Sequence, residues 1–261
     1  MNHNKGEAFY NRSLERALQI LNAFSAEKQD FTLAQLSDSL TLSRATVLRL
    51  CSTLVKYGFL RQDPRSKQYS LGLRLFELGS IVFHSFSLRR IATHYLNELQ
   101  IKLNITVFLG IIDNDELLYI DKRDDPKNPI TFTSKIGTRR PPYWGMVGPA
   151  ILAYLPESEV LRILQRFPLK QTTAKKSLTK KEEFLDLLKR VREKGFALDN
   201  ESTFDGITGV AAPIYDLNKK VIGAIGVAFI STSVDIKSRK RIIKEVVTTA
   251  KKISRELGYP E

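Results

Sequence analysis

The apolar positions between Thr32 and Tyr57 repeat with helical spacing. Val47, Leu50, Cys51, Leu54 and Val55 fall three and four apart, which puts them on one buried stripe of a helix. Arg44, Ala45, Thr46, Leu48, Arg49, Ser52 and Lys56 are left for the opposite side. Ser43 has the residue type and position of an N-cap, and Thr41-Leu42 supplies a short turn behind it from a preceding helix. Two helices joined this way serve a helix-turn-helix or an ordinary helical hairpin with a solvated Arg and Lys face equally well. The next residues separate the two. Phe59–Asp63, Pro64–Lys67 and Gln68–Leu71 read as strand, polar turn and strand, a hairpin where a winged helix carries its wing, with Arg65 and Lys67 at the tip. Helix, turn, helix, Gly58 and basic hairpin is a more specific order than any of its parts.

On either side the pattern stays legible. Ser13 opens a helix whose apolar face is expected from Leu14, Leu18, Leu21 and Phe24. Leu73–Ser87 forms another, with Leu75, Leu78, Ile81, Val82 and Phe86 in core or interface positions, and a second long amphipathic helix follows through Ile91, Tyr95, Leu99 and Leu103. From Ile105 the period becomes extended: a β-hairpin turns at Asp113-Asn114-Asp115, and Ile130–Ser134 adds a strand. A loop from Pro141 enters an apolar helix ending near Leu155. Amphipathic helices at Glu157–Phe167 and Lys180–Lys194 follow, then strands at Phe196–Leu198, Gly209–Tyr215 and Val221–Phe229 and a basic closing helix at Lys237–Leu257. Gly223 and Gly226 lie inside an apolar strand run, so they are read as close-packing positions. The pattern predicts an α+β protein: an N-terminal winged helix-turn-helix with a linker helix over 1–87, and an antiparallel-sheet domain over 88–261.

Composition changes this picture in one respect. The net charge of +13 over 261 residues points to an acidic partner, nucleic acid first and an anionic membrane surface second. Yet residues 1–87 hold 11 Lys and Arg against 7 Asp and Glu, so most of the excess lies downstream of the reading head. Local placement therefore carries the DNA argument: Ser43, Arg44, Thr46 and Arg49 on the second helix, Arg65 and Lys67 on the wing. Cys51, the single cysteine, excludes an intrachain disulfide and fits a reducing cytoplasm. The polar N-terminus lacks a signal-peptide core, and the longest apolar stretches reach about half of the ~20 residues of a spanning helix, so no membrane partner is expected. Three histidines, no nucleophile elbow, no phosphate loop and no dinucleotide fingerprint leave no constellation for an enzyme, a metal or a cofactor.

Ser13–Leu21, Leu36–Leu60, Tyr69-Ser70-Leu71-Gly72 and Leu75-Phe76-Glu77-Leu78-Gly79 resemble the N-terminal half of the isocitrate-lyase-regulator (IclR) transcription factors. The resemblance continues through Asp121-Lys122, Ile136–Pro141, Lys194–Glu201 and, most clearly, Ala211-Ala212-Pro213-Ile214-Tyr215-Asp216. It implies a winged-helix domain that binds double-stranded operator DNA, joined to a GAF-like domain whose loops enclose a small organic effector. Assembly as a homodimer or dimer of dimers goes with it, the helices between head and body being natural places for dimer contact. Departures from the family pattern are Gly148-Pro149 for a Gly-Lys, Gly209 for a Cys, and Gly226 and Ala228 for hydroxyl residues. They are expected to leave a roomier, less polar pocket, lined by Phe132, Tyr143, Trp144 and Met146, with Arg140 for a carboxylate and Asp199, Gly209, Gly226 and Ala228 on its wall. The alternative kept beside this is a winged-helix protein-interaction module with a ligand-free C-terminal domain.

Overall fold

A computed structural model describes residues 11–25, 27–85, 87–125, 134–172 and 174–260, with side chains at 80 and 82–85 left aside. It divides into two compact units, Met1–Phe86 and Ser87–Glu261.

The first unit begins with α1 (Arg12–Asn22), whose N-cap is Asn11: its side-chain oxygen accepts the Ser13 and Leu14 N–H groups, both at 3.0 Å. The face it buries differs from the expected one. Ile20 is fully buried, with Ala17, Leu21 and Phe24 packed beside it, whereas Leu14 and Leu18 are 60% and 51% exposed. Residues 14 and 18 lie roughly 100° round the helix from the stripe that packs. α2 (Leu33–Leu40) starts at a reciprocal capping box between Thr32 and Gln35 and ends at Thr41, which takes a left-handed conformation with φ 55°. α3 (Arg44–Lys56) buries Val47, Cys51 and Leu54, while Leu50 and Val55 are half-buried. β1 (Leu60–Gln62) and β2 (Tyr69–Leu71) pair antiparallel, and Phe31 bridges to Tyr69 to close the small core. Gly72 is required here, since a β-carbon on it would stand 2.0 Å from the Gly58 carbonyl oxygen. α4 (Leu73–Ser85) follows and leaves Leu73, Phe76 and Ile81 exposed.

The second unit is built on a six-stranded antiparallel sheet. Its strands are β3 (Thr106–Asp113), β4 (Glu116–Arg123), β5 (Arg139–Arg140), β6 (Ala197–Asn200), β7 (Ile207–Tyr215) and β8 (Val221–Ile230), in the spatial order β5-β4-β3-β8-β7-β6. The β3–β4 hairpin turns on Asn114 and Asp115, both with positive φ, as a two-residue primed turn requires. The helices are α5 (Ser87–Leu103), α6 (Val147–Leu152), α7 (Glu157–Arg166), α8 (Lys181–Lys194) and α9 (Ile236–Glu256). Side chains three apart on β8 point to opposite faces, and its glycines show what lies on each. A β-carbon on Gly223 would meet Leu88 of α5 at 2.9 Å, and one on Gly226 would meet Val147 of α6 at 3.0 Å. The core on the α6 side gathers Leu117, Val147, Ile151, Ile163, Phe184 and Leu188. On the other side α5 is tied to β4 through Asp121, fully buried between Arg123 and Arg89, the latter 3.2 Å away. The strand expected at Ile130–Ser134 lies outside the described residues except for Ser134.

Candidate functional site

In the first unit the second helix of the pair is held by its cap. The Ser43 hydroxyl accepts the Thr46 N–H at 3.2 Å and shares a 2.9 Å hydrogen bond with the Thr46 hydroxyl. Ser43, expected as the cap and near phosphate, and Thr46, expected to reach the groove, are thus fixed at the first turn of α3. Arg44 and Arg49 are exposed, and among the described residues neither makes an ion pair. They are not stacked one above the other: five residues apart, they flank the face on which Ala45, Leu48 and Ser52 stand, and Leu48 is 47% exposed there. At the wing, Asp63 accepts the N–H groups of Arg65 at 2.9 Å and Ser66 at 2.7 Å, which holds its carboxyl below the usual carboxylate range, Ser66 contributing most. Lys67 closes the turn with φ 58°, and its carbonyl accepts from the Gln62 amide at 3.1 Å. Arg65 and Lys67 project from this turn into solvent.

In the second unit a cavity of about 310 Å³ opens on the α6 side of the sheet. Phe108 and Tyr119 form one wall, Ile207, Gly209 and Ala228 another, and the loops bearing Trp144–Met146 and Thr203–Asp205 close over them. Its surface is mostly apolar. Trp144 and Phe204 meet edge to face at 5.8 Å, and the Gly145 N–H donates to the Thr203 hydroxyl at 3.1 Å, so the two loops are tied together. Asp199 is buried in the lining. Its Oδ1 accepts from the Ser202 N–H at 2.8 Å and the Ser202 hydroxyl at 2.6 Å. Burial pushes the Tyr119 phenol up to about 12, against the pull of Ser134 and Arg140.

Trp144, Met146, Asp199, Gly209 and Ala228 therefore come together on one cavity. Three expected residues do not. Tyr143 turns toward α8, where its ring meets Phe184 edge to face at 6.4 Å and its hydroxyl donates to the Pro168 carbonyl at 3.1 Å. Gly226 sits beneath α6, where a β-carbon would meet Ala211 and Val147, both at 3.0 Å; glycine there admits the helix rather than widening the cavity. Arg140 lies outside the lining, its guanidinium 5.6 Å from the Trp144 ring and its Nε buried without a hydrogen-bond partner among the described residues. Phe132 lies outside the described residues. Nor does Gly209 enlarge the site, because Met146 fills the space beside it. Phe108 and Tyr119 were hidden as ordinary strand positions, and Thr203-Phe204-Asp205 belongs to a loop with no periodic signal.

A family model for the IclR helix-turn-helix domain matches residues 13–64, and one for the bacterial transcriptional regulator IclR C-terminal region matches residues 81–255. The chain belongs to the IclR family. It is 32% identical over 249 residues to the HTH-type transcriptional regulator XynR of Escherichia coli (strain K12), covering 95% of this chain and 98% of that one. A crystal structure of an IclR regulator from Alicyclobacillus acidocaldarius matches with a TM-score of 0.82 at 28% identity, over 95% of this chain and 99% of that one. An IclR homologue of Microbacterium hydrocarbonoxydans, complexed with 4-hydroxybenzoate, shares the fold with a TM-score of 0.80 at 21% identity, over 94% and 99%. This IclR protein is a DNA-binding transcriptional regulator, and the family favours that reading of its head over a protein-interaction module.

Proposed function

We propose that α3 enters the major groove of operator DNA, with Arg44 and Arg49 reaching base edges on either side of Leu48, whose exposed side chain faces thymine methyl groups. Thr46 joins them in the groove, Ser43 sets the helix end against phosphate, and Arg65 and Lys67 hold the backbone from the wing. The observation that carries this is the pair of exposed arginines, without ion pairs among the described residues, on a helix whose other face is core. Selection of bound fragments from random duplex DNA tests it: recovery of no preferred sequence would count against it.

The cavity is the effector site in this reading. Its volume and apolar walls suit an aromatic or aliphatic body larger than a two- or three-carbon acid, and the 4-hydroxybenzoate bound by the Microbacterium homologue is of that class. Asp199 offers its second oxygen to a ligand hydroxyl, while Arg140, outside the lining, acts only through the Trp144 ring it stands beside. Such a ligand shifts operator affinity only by binding two arrangements of the protein unequally. Titration calorimetry separates the classes: tight binding of short keto acids alone would end this assignment.

The regulator acts in the cytoplasm as a homodimer or dimer of dimers. The exposed Leu14 and Leu18 of α1, with Leu73, Phe76 and Ile81 of α4, supply apolar surface for a second copy. Among the described residues no helix is long and apolar enough to cross a membrane.

A further inference from the structure

Most of the positive charge lies away from the reading head, and the fold shows where. Residues 88–261 carry 30 Lys and Arg against 21 Asp and Glu, and α9 alone holds eight Lys and Arg against two Glu. The arrangement on that helix is one-sided. Ile242, Val246, Ala250 and Ile253 pack on the sheet, while Lys237, Lys240, Arg241, Lys244, Lys251 and Lys252 are exposed on the far side. Both glutamates are turned toward α5: Glu245 pairs with Lys102 at 2.7 Å, and Glu256 accepts from the Tyr95 hydroxyl at 2.9 Å. Among the described residues none of the six cations forms an ion pair. The helix before it in the chain differs: α8 mixes acids and bases along its length.

This pattern is costly for the helix itself. Four cations stand within the first six residues of α9, at the end where the macrodipole is positive, and the first turn holds no acid to set beside the single N-cap carboxylate of Asp235, which accepts the Ser238 N–H at 2.6 Å. A merely solvated face would tolerate acids there and be more stable for them. The six charges run for about 22 Å along the axis, long enough to follow several phosphates of a duplex strand.

We infer that the exposed face of α9 is a second, sequence-independent contact surface for the phosphate backbone of double-stranded DNA. It adds affinity and salt dependence to binding without selecting bases.

The test is fluorescence anisotropy of the full-length protein on a long random-sequence duplex across a potassium chloride series. K240Q/R241Q/K244Q is expected to flatten the slope of log K against log salt by about 2 to 3. K251Q/K252Q, at the other end, is expected to flatten it by about 1 to 2. The control K170Q/K175Q/K189Q removes the same charge as the first variant from exposed lysines elsewhere in the unit and is expected to leave the slope in place. Equal slopes for the α9 and control variants would overturn the inference. So would an unchanged DNA slope with loss of binding to phosphatidylserine vesicles, which would make the surface a membrane contact. Random DNA is the probe, so failure here leaves operator reading by α3 untouched.

Discussion

The sulfur of Met146 stands 2.6 Å from the point where a β-carbon on Gly209 would lie. The two residues are therefore one feature: glycine on β7 leaves a notch, and methionine from the loop before α6 fills it. Gly209→Ala is expected to push the flexible thioether toward the cavity and destabilise the second unit by about 1 kcal/mol, the low end of overpacking. Adding Met146→Ala should restore part of that loss, so the pair couples in a double-mutant cycle followed by urea denaturation. Additive effects would show that the notch and its filling are independent. Met146→Ala alone opens the cavity wall and should shift calorimetric preference toward bulkier ring acids.

Arg44 and Arg49 are exposed, and among the described residues neither side chain forms an ion pair. Arg44→Ala and Arg49→Ala should each weaken binding to selected operator fragments by about 1–3 kcal/mol, with relaxed preference at the base each arginine faces and an unchanged melting temperature. Arg65→Ala and Lys67→Ala act differently. Being wing contacts to phosphate, they should weaken all sequences alike and lower the salt slope by about 1 each. Operator affinity unaltered in both helix variants would remove α3 from the groove.

What the sequence made legible follows from period. Ser43, Val47, Cys51 and Leu54 stand where spacing puts them, because a helix with one buried stripe and one capping residue leaves few alternatives. The hairpin at Asp113–Glu116 was readable from its turn residues. In α1 period leaves two stripes open: Leu14 and Leu18 share helical spacing with Leu21, but the stripe that packs passes through Ala17 and Ile20, and which stripe wins is decided by neighbours distant in sequence. The cavity was partly legible for a similar reason. Trp144, Met146, Asp199, Gly209 and Ala228 were found, but the loop turns Tyr143 the other way and α6 seats over Gly226, and neither follows from local pattern.

Asp121 is fully buried between two arginines, and the Arg89 Nε also donates to the Ile120 carbonyl at 3.1 Å. Asp121→Asn keeps the volume but leaves both cations without their shared counter-charge at the joint of α5 and β4. Loss of one partner from a buried ionic cluster typically costs about 3–5 kcal/mol. Chemical denaturation should show a loss of that size, and a change below about 0.5 kcal/mol, typical of surface substitutions, would mean that the arginines find water instead.

Cys51 lies wholly inside the first unit, and burial raises its thiol from an ordinary 9.0 to about 11. The unfolded chain therefore gives up this proton at lower pH than the folded one does. The resulting contribution to stability is complete below pH 9 and disappears as pH rises toward 11. Tyr69, raised by its own burial and by the neighbouring thiolate, adds in the same direction. Urea denaturation should show stability falling across this window by about 2 kcal/mol through Cys51 alone, and Cys51→Ala should fall less steeply than the parent chain. At pH 8 the native thiol should resist alkylation at a rate set by opening of the α1–α3 core, tracking its unfolding equilibrium. Parallel pH profiles for parent and variant, or immediate alkylation of the native protein, would show that this sulfur is not sealed beneath α3.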